Sequence, residues 1–129
     1  MEAGLAEPKP VILCVDDESI PLILRKSVLE KWGYEVIAAA SGTEALDAVE
    51  RWPIDLVLTD LLMPGLSGTQ LAREIKRRRP ELPVVLLSGV NEIPEDADAA
   101  DMFLSKVQGP TAMCEAISEM LHKSHNPVA

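Results

Sequence analysis

Short apolar runs alternate with longer stretches of helical periodicity along the chain. Val11-Ile12-Leu13-Cys14-Val15 is an apolar run that stops at two aspartates. Val36-Ile37-Ala38-Ala39, Leu56-Val57-Leu58-Thr59, Val84-Val85-Leu86-Leu87 and Met102-Phe103-Leu104 repeat the pattern; the last three stop at Asp60, at Ser88-Gly89 and at Ser105-Lys106. Uninterrupted apolar runs of this length suit strands covered on both faces, as in a parallel sheet. Between them, Leu22, Leu24, Val28 and Leu29 predict an apolar face on a helix from about Ser19 to Trp32, with Pro21 in its first turn and Gly33 as its stop. Ser41-Gly42-Thr43-Glu44 has the spacing of a capping box, and Ala45, Leu46 and Val49 continue it as a helix closed by Pro53. Leu71, Ala72 and Ile75 mark a third helix ending at Arg79-Pro80. Met113, Ala116, Ile117, Met120 and Leu121 share one side of a last helix, from about Pro110 to Lys123.

This alternation predicts a doubly wound α/β domain with a five-stranded parallel sheet. One interval is unusual. Between Ser88 and Lys106 only Pro94 to Ala100 has helical character, about two turns at most, with no bulky apolar anchor. The crossover there is expected to be short or irregular. Residues 1–9 and 124–129 read as flexible termini around a domain spanning 10–123.

Composition narrows the function. The chain has 129 residues, which fits one domain, and 47% are hydrophobic, too many for intrinsic disorder. Only Trp32, Tyr34, Trp52 and Phe103 are aromatic, so the core must be largely aliphatic. Twelve basic residues stand against 21 acidic ones, a formal net charge of −9 that repels polyanions and argues against direct nucleic-acid binding. No apolar run approaches the ~18 residues of a membrane span. The start, Met1-Glu2-Ala3-Gly4, lacks the basic and apolar regions of a signal peptide, and Cys14 and Cys114 make no disulfide framework. A cytoplasmic protein is expected. The one basic run, Lys76-Arg77-Arg78-Arg79, reads as a solvated helix end complementing the helix dipole.

Every notable polar residue falls just after a strand: Asp16 and Asp17, Asp60, Ser88 and Lys106. In an open parallel sheet, ligands bind outside the carboxyl ends of the strands, so the fold would gather three carboxylates, a hydroxyl and an ammonium in one crevice. Three carboxylates in one pocket raise one another's pKa values unless a cation joins them. Hard oxygen donors select Mg²⁺, or Mn²⁺ in its place. A metal flanked by lysine and serine suits a phosphoryl group, and a central carboxylate can itself be the nucleophile. Taken singly, each residue has a plainer reading: aspartates as turn residues or helix caps, Ser88-Gly89 as a turn, Lys106 as a solvated lysine. Their joint occurrence at four strand ends favours the site.

With these residues in place, the sequence resembles the receiver domains of bacterial two-component response regulators, from about Pro10 to Lys123. The resemblance is carried by Val11-Ile12-Leu13-Cys14-Val15-Asp16-Asp17-Glu18, by the stretch from Asp55 to Gly68 that contains Thr59-Asp60-Leu61-Leu62-Met63-Pro64-Gly65, by Leu82 to Gly89, and by Phe103-Leu104-Ser105-Lys106. It implies a flavodoxin-like, CheY-like three-layer α/β/α fold with strand order 2-1-3-4-5, to which the short interval after Ser88 adds the expectation of a shortened or irregular fourth helix. It implies Asp60 as phosphoacceptor, with a sensor histidine kinase or phosphotransfer protein as donor. Asp17, Asp60 and the Leu62 backbone carbonyl would bind Mg²⁺, Asp16 would act through metal-bound water, and Lys106 and Ser88 would hold the phosphoryl oxygens. Ser88 and Phe103 would be the switch residues; Phe103 equally suits a core position on an inner strand.

Two departures stand out. The residue after Lys106 is Val107, where the family has a proline, often after a cis bond; a cis bond to a non-proline residue costs ~2.5–4 kcal/mol, so trans is expected. The crossover after Ser88 is also about one helical turn shorter than usual. Leu62 and Val90, two residues beyond Asp60 and Ser88, are apolar where the family's attacking water passes, which predicts slow loss of the phosphoryl group. The expected protein is a monomer or weak dimer acting on a downstream effector protein, with no membrane partner and no enzyme activity beyond its own phosphorylation and dephosphorylation. The competing readings are a receiver-like interaction module that is never phosphorylated and an aspartate-nucleophile phosphohydrolase. The latter commonly has a second aspartate two residues after the first, where Leu62 stands here.

Overall fold

The computed structural model describes residues 8–89 and 100–125. Strands β1 (Val11–Val15), β2 (Glu35–Ala39), β3 (Leu56–Asp60), β4 (Val84–Ser88) and β5 (Met102–Ser105) form one sheet in the order β2-β1-β3-β4-β5. Every pairing is parallel. The helices are α1 (Ser19–Trp32), α2 (Gly42–Arg51), α3 (Gly68–Arg78) and α4 (Gly109–His125). The flavodoxin-like order expected from the resemblance is the order observed. The expected short fourth helix between β4 and β5 falls on residues outside the described ones, so α4 here denotes the last helix among the described residues.

The sheet divides the core in two. Ile12, Cys14, Leu56, Leu58, Val85 and Leu87 face α1 and α4, where Leu22, Leu29, Met113, Cys114, Ile117 and Leu121 meet them. Leu13, Val15, Val57 and Val84 face α2 and α3, against Ala45, Val49, Leu71, Ala72 and Ile75. Successive strand residues point to opposite faces, so each apolar run supplies both layers. Central β3 is buried at all five positions, whereas edge strand β2 has exposed ones. Burying a Leu, Ile or Val side chain stabilises by roughly 1.5–3 kcal/mol, so this aliphatic core suffices without Trp32 or Trp52, which stay about half exposed.

The helix ends follow local chemistry. Gly33, at φ 114°, closes α1: its N–H donates to the Glu30 carbonyl and that of Tyr34 to the Leu29 carbonyl. At α2 the expected capping box is only half formed. Ser41 Oγ accepts from the Glu44 N–H at 3.1 Å, but the Glu44 carboxylate reaches one residue further back, to the Ala40 N–H at 2.9 Å. A complete box stands at α3, between Ser67 and Gln70.

The basic run at the C-terminal end of α3 is taken up by pairs within the protein surface. Lys76 bonds the Leu82 carbonyl at 2.8 Å and pairs with Asp101 at 2.6 Å; Arg78 bridges Glu74 and Glu50; Arg79 meets Glu81. These bonds tie α3 to α2 and to the strand behind it, so the run is more than a solvated helix end. Asp101 is equally committed, since its carboxylate also accepts the Val84 N–H at 2.7 Å.

Candidate functional site

β1 and β3 lie side by side at the centre of the sheet, and the chain leaves β1 for β2 on one side and β3 for β4 on the other. A crevice opens outside the carboxyl ends of strands at such a reversal of order. Asp16 and Asp17 follow β1 into this crevice, and Asp60 is the last residue of β3. One carboxylate oxygen from each of the three lies within 4.8 Å of the others. Asp16 and Asp60 are buried, at 1% and 5% exposure, while Asp17 is open to solvent.

Asp60 is held by its neighbours rather than by its side chain. Its register partner is Leu87, and the Leu61 N–H donates to the Leu87 carbonyl at 2.9 Å. The turn behind it needs Gly68, whose N–H donates to the Leu61 carbonyl at 2.8 Å; a Cβ at Gly68 would run into the Asp60 carbonyl oxygen. Lys106 forms an ion pair with Asp60 Oδ1, a buried oxygen for which no other partner is found among the described residues. Burial pushes the Asp60 carboxyl above the usual carboxylate range; Lys106 pulls it back, Asp16 adds to the rise, and Arg25 opposes it.

Lys106 reaches the acids from the end of β5. The strand runs into a 3-10 turn, Lys106–Gln108, whose first N–H groups are partly satisfied by Ser105 Oγ accepting from the Val107 N–H at 3.2 Å. No cis peptide bond occurs among the described residues, so the Lys106–Val107 bond is trans as expected without the proline. The lysine meets Asp60 all the same. Ser88 ends β4, half-buried, one residue past the register partner of Asp60 and beside Ser105. Phe103 sits on β5, which is an edge strand; it is half-buried and absent from both core clusters, so the alternative of a core phenylalanine on an inner strand does not hold. Leu62 is 57% exposed, and Val90 lies outside the described residues.

One residue of this site was not read from the sequence. Arg25 extends from α1 and donates from an Nη to Asp16 Oδ2 at 3.0 Å, with its own side chain only 12% exposed. Leu24, placed on the inner face by its hydrophobicity, is instead 61% exposed. The signal was helical spacing: Leu22, Arg25 and Leu29 lie three and seven positions apart, on one face of α1. The polar Arg25 takes the inward position because Asp16, continuing the parity of Ile12 and Cys14, points to the α1 side of the sheet.

The donor set suits a hard divalent cation. It is all oxygen, converges from two strand ends, and includes a buried carboxylate oxygen answered by Lys106. An acidic crevice at the switch point of a doubly wound parallel sheet, with a lysine laid against the central aspartate, defines a phosphoryl-handling signalling domain. Comparison with known proteins specifies which. The family model for the response regulator receiver domain matches residues 12–118. The chain is 36% identical to the transcriptional regulatory protein GlrR of Escherichia coli K12 over 117 residues, 88% of this chain and 26% of that protein. It is 40% identical to the sensor protein GacS of Pseudomonas syringae pv. syringae over 89 residues, 65% of this chain and 10% of that one. The response regulator TrrA of Thermotoga maritima, solved in complex with Mg²⁺-BeF, superposes with a TM-score of 0.80 at 32% identity, covering 85% of this chain and 97% of that structure. The chain belongs to the response regulator receiver domain family, the phosphoacceptor domains of two-component signalling. It spans about a quarter of GlrR and a tenth of GacS.

Proposed function

We propose that Asp60 is the acceptor of a phosphoryl group delivered from a phosphohistidine of a sensor histidine kinase or phosphotransfer protein, and that this modification switches a protein-interaction surface. The observation that carries the assignment is Asp60 itself: buried, grouped with two other acids, with Lys106 paired to its buried oxygen. Asp17, Asp60 and the Leu62 carbonyl would hold Mg²⁺, or Mn²⁺ in its place, with Asp16 acting through a water. When bound, the ion supplies positive charge to the phosphoryl oxygens.

The chain's own residues supply the rest. An oxygen of the Asp60 carboxylate attacks phosphorus in line, the phosphorus–nitrogen bond to the donor histidine breaks, and its electron pair returns to the imidazole. Charge spreads over the equatorial oxygens in such a transfer, so catalysis is positioning plus charge stabilisation. Lys106 is already at Asp60 and needs only to shift from the carboxylate to a phosphoryl oxygen. Ser88, at the neighbouring strand end, donates a hydrogen bond to another. Because the acceptor is the protein itself, the domain modifies itself and is not a turnover enzyme. Incubation with a small acyl phosphate and Mg²⁺, with intact mass as the readout, tests the reading. The wild type should gain one phosphoryl group and Asp60→Asn none; an unmodified wild type would leave the interaction module as the better reading.

A further inference from the structure

Two of the three acids of the crevice carry a basic partner, while Asp17 is open to solvent. Lys106 is paired with Asp60, and Arg25 is paired with Asp16. Both oxygens of Asp16 are engaged: Oδ2 takes the Arg25 guanidinium at 3.0 Å and Oδ1 takes the Glu18 N–H at 2.9 Å. Three negative groups and two positive ones leave the crevice with a single net negative charge. Arg25 is no mobile surface cation, being 12% exposed and set between Leu22 and Leu29 on the buried face of α1. The Cys14 thiol, which burial pushes up to about 11, lies close enough to Arg25 to be pulled back by it. The guanidinium is therefore a largely buried charge held beside the residues assigned to the metal.

The geometry points to Arg25 as a built-in counter-ion that occupies Asp16 and holds down the affinity of the crevice for a divalent cation. The inference rests on the metal assignment proposed above. A unit cation and a divalent ion a few ångströms apart in a poorly solvated site repel strongly enough to change affinity by about tenfold or more. Asp16, neutralised and doubly hydrogen-bonded, adds little attraction while the arginine stays in place. Arg25 also lets the protein keep Asp16 buried when no metal is bound, since a lone buried carboxylate would be costly. Both effects make the domain's metal occupancy, and hence its readiness to take a phosphoryl group, depend on the ambient Mg²⁺ concentration over a higher range than three free carboxylates would set.

The test is Mn²⁺ binding, monitored by loss of the free-ion electron paramagnetic resonance signal, with no phosphoryl donor present. Asp17→Asn establishes the site: if it binds Mn²⁺ as the wild type does, the metal assignment itself fails. With that control passed, Arg25→Met should bind Mn²⁺ about tenfold more tightly than wild type, and Arg25→Lys should restore weak binding. The acid and the base should also be coupled. Asp16→Asn should weaken binding little in the wild-type background and about tenfold in the Arg25→Met background, which a purely structural role for Arg25 would not produce. Arg25→Gln, which keeps a hydrogen bond to Asp16 without the charge, replaces Arg25→Met if that variant does not fold. Unchanged or weaker binding in the charge-free variants would overturn the inference.

Discussion

At Asp60, burial and the raised pKa have the same cause. Packing the end of β3 between β1 and β4 removes water from the carboxylate, which favours its neutral form, and only Lys106 and Arg25 oppose that tendency. Two residues on, Leu62 stands at the mouth of the crevice with its side chain 57% exposed. It offers no hydrogen bond to an incoming water. Leu62→Asn should shorten the lifetime of the phosphorylated form severalfold, measured as the decay of the phosphorylated mass after the donor is removed. Because the side chain is largely solvated, stability should change by no more than about 0.5 kcal/mol. Asp16 and Arg25 show the same economy of position. Both were visible as residues, but only Asp16 was visible as part of a site, since it belongs to a paired motif at a strand end. Arg25 is separated from it by nine positions and looks like any helix arginine until the helix is turned to face the sheet.

At the scale of elements, each polar group of the crevice is presented by the join between a strand and the next segment of chain. The turn after β3 returns close beneath its own strand, and α3 starts where a side chain would meet backbone. Gly68→Ala should therefore destabilise the protein by about 1–3 kcal/mol in denaturant unfolding, because the added carbon meets the Asp60 carbonyl and the Leu61 Cα, which cannot step aside. Gly42→Ala is the comparison: its Cβ would meet the Leu66 side chain, including the Leu66 Cβ, so Leu66 must shift, but no backbone oxygen stands as close as at Gly68 and the cost should be smaller. After β5 the join is a trans 3-10 turn capped by Ser105, and Lys106 still reaches the crevice. The missing proline thus changes how the loop is built without removing the lysine from its task. The strands and helices were legible because apolar periodicity differs between a covered strand and a one-sided helix. The caps were less so: Ser41 to Glu44 matched the pattern and formed half of it, while Ser67 and Gln70 formed the whole box from residues that also occur in any polar turn.

For the whole molecule, the formal charge of −9 divides into unlike parts. Glu50, Glu74, Glu81 and Asp101 are paired with the basic run around α3 and serve the packing of helices. Asp60 instead works against the fold at neutral pH. The Asp60 pKa is raised in the folded state, so folding favours its protonated form. The stability this gives is present below the unfolded value of 3.8 and is lost as pH rises through the raised folded value. Asp60→Asn removes that loss. At neutral pH without divalent cation it should melt at a higher temperature than wild type, with the gap closing as pH falls below the unfolded value. Added Mg²⁺ should raise the wild-type melting temperature more than that of the variant, because binding to the native state alone stabilises it. Equal melting temperatures at neutral pH would contradict this account of Asp60.

The order of apolar runs, the helix stops and the placement of acids at strand ends are written in the sequence, because they depend on residues near one another in the chain and on two simple periods. They sufficed for the doubly wound sheet and for Asp16, Asp17, Asp60 and Lys106. The tertiary structure alone decided how these charges are balanced. Whether Arg25 or Leu24 faces the sheet, whether Asp101 is free or bonded to Val84 and Lys76, and whether Phe103 is enclosed depend on helix rotation and strand order. Those are settled by the packing of the two layers as a whole, and a local pattern of hydrophobic and polar residues does not encode them.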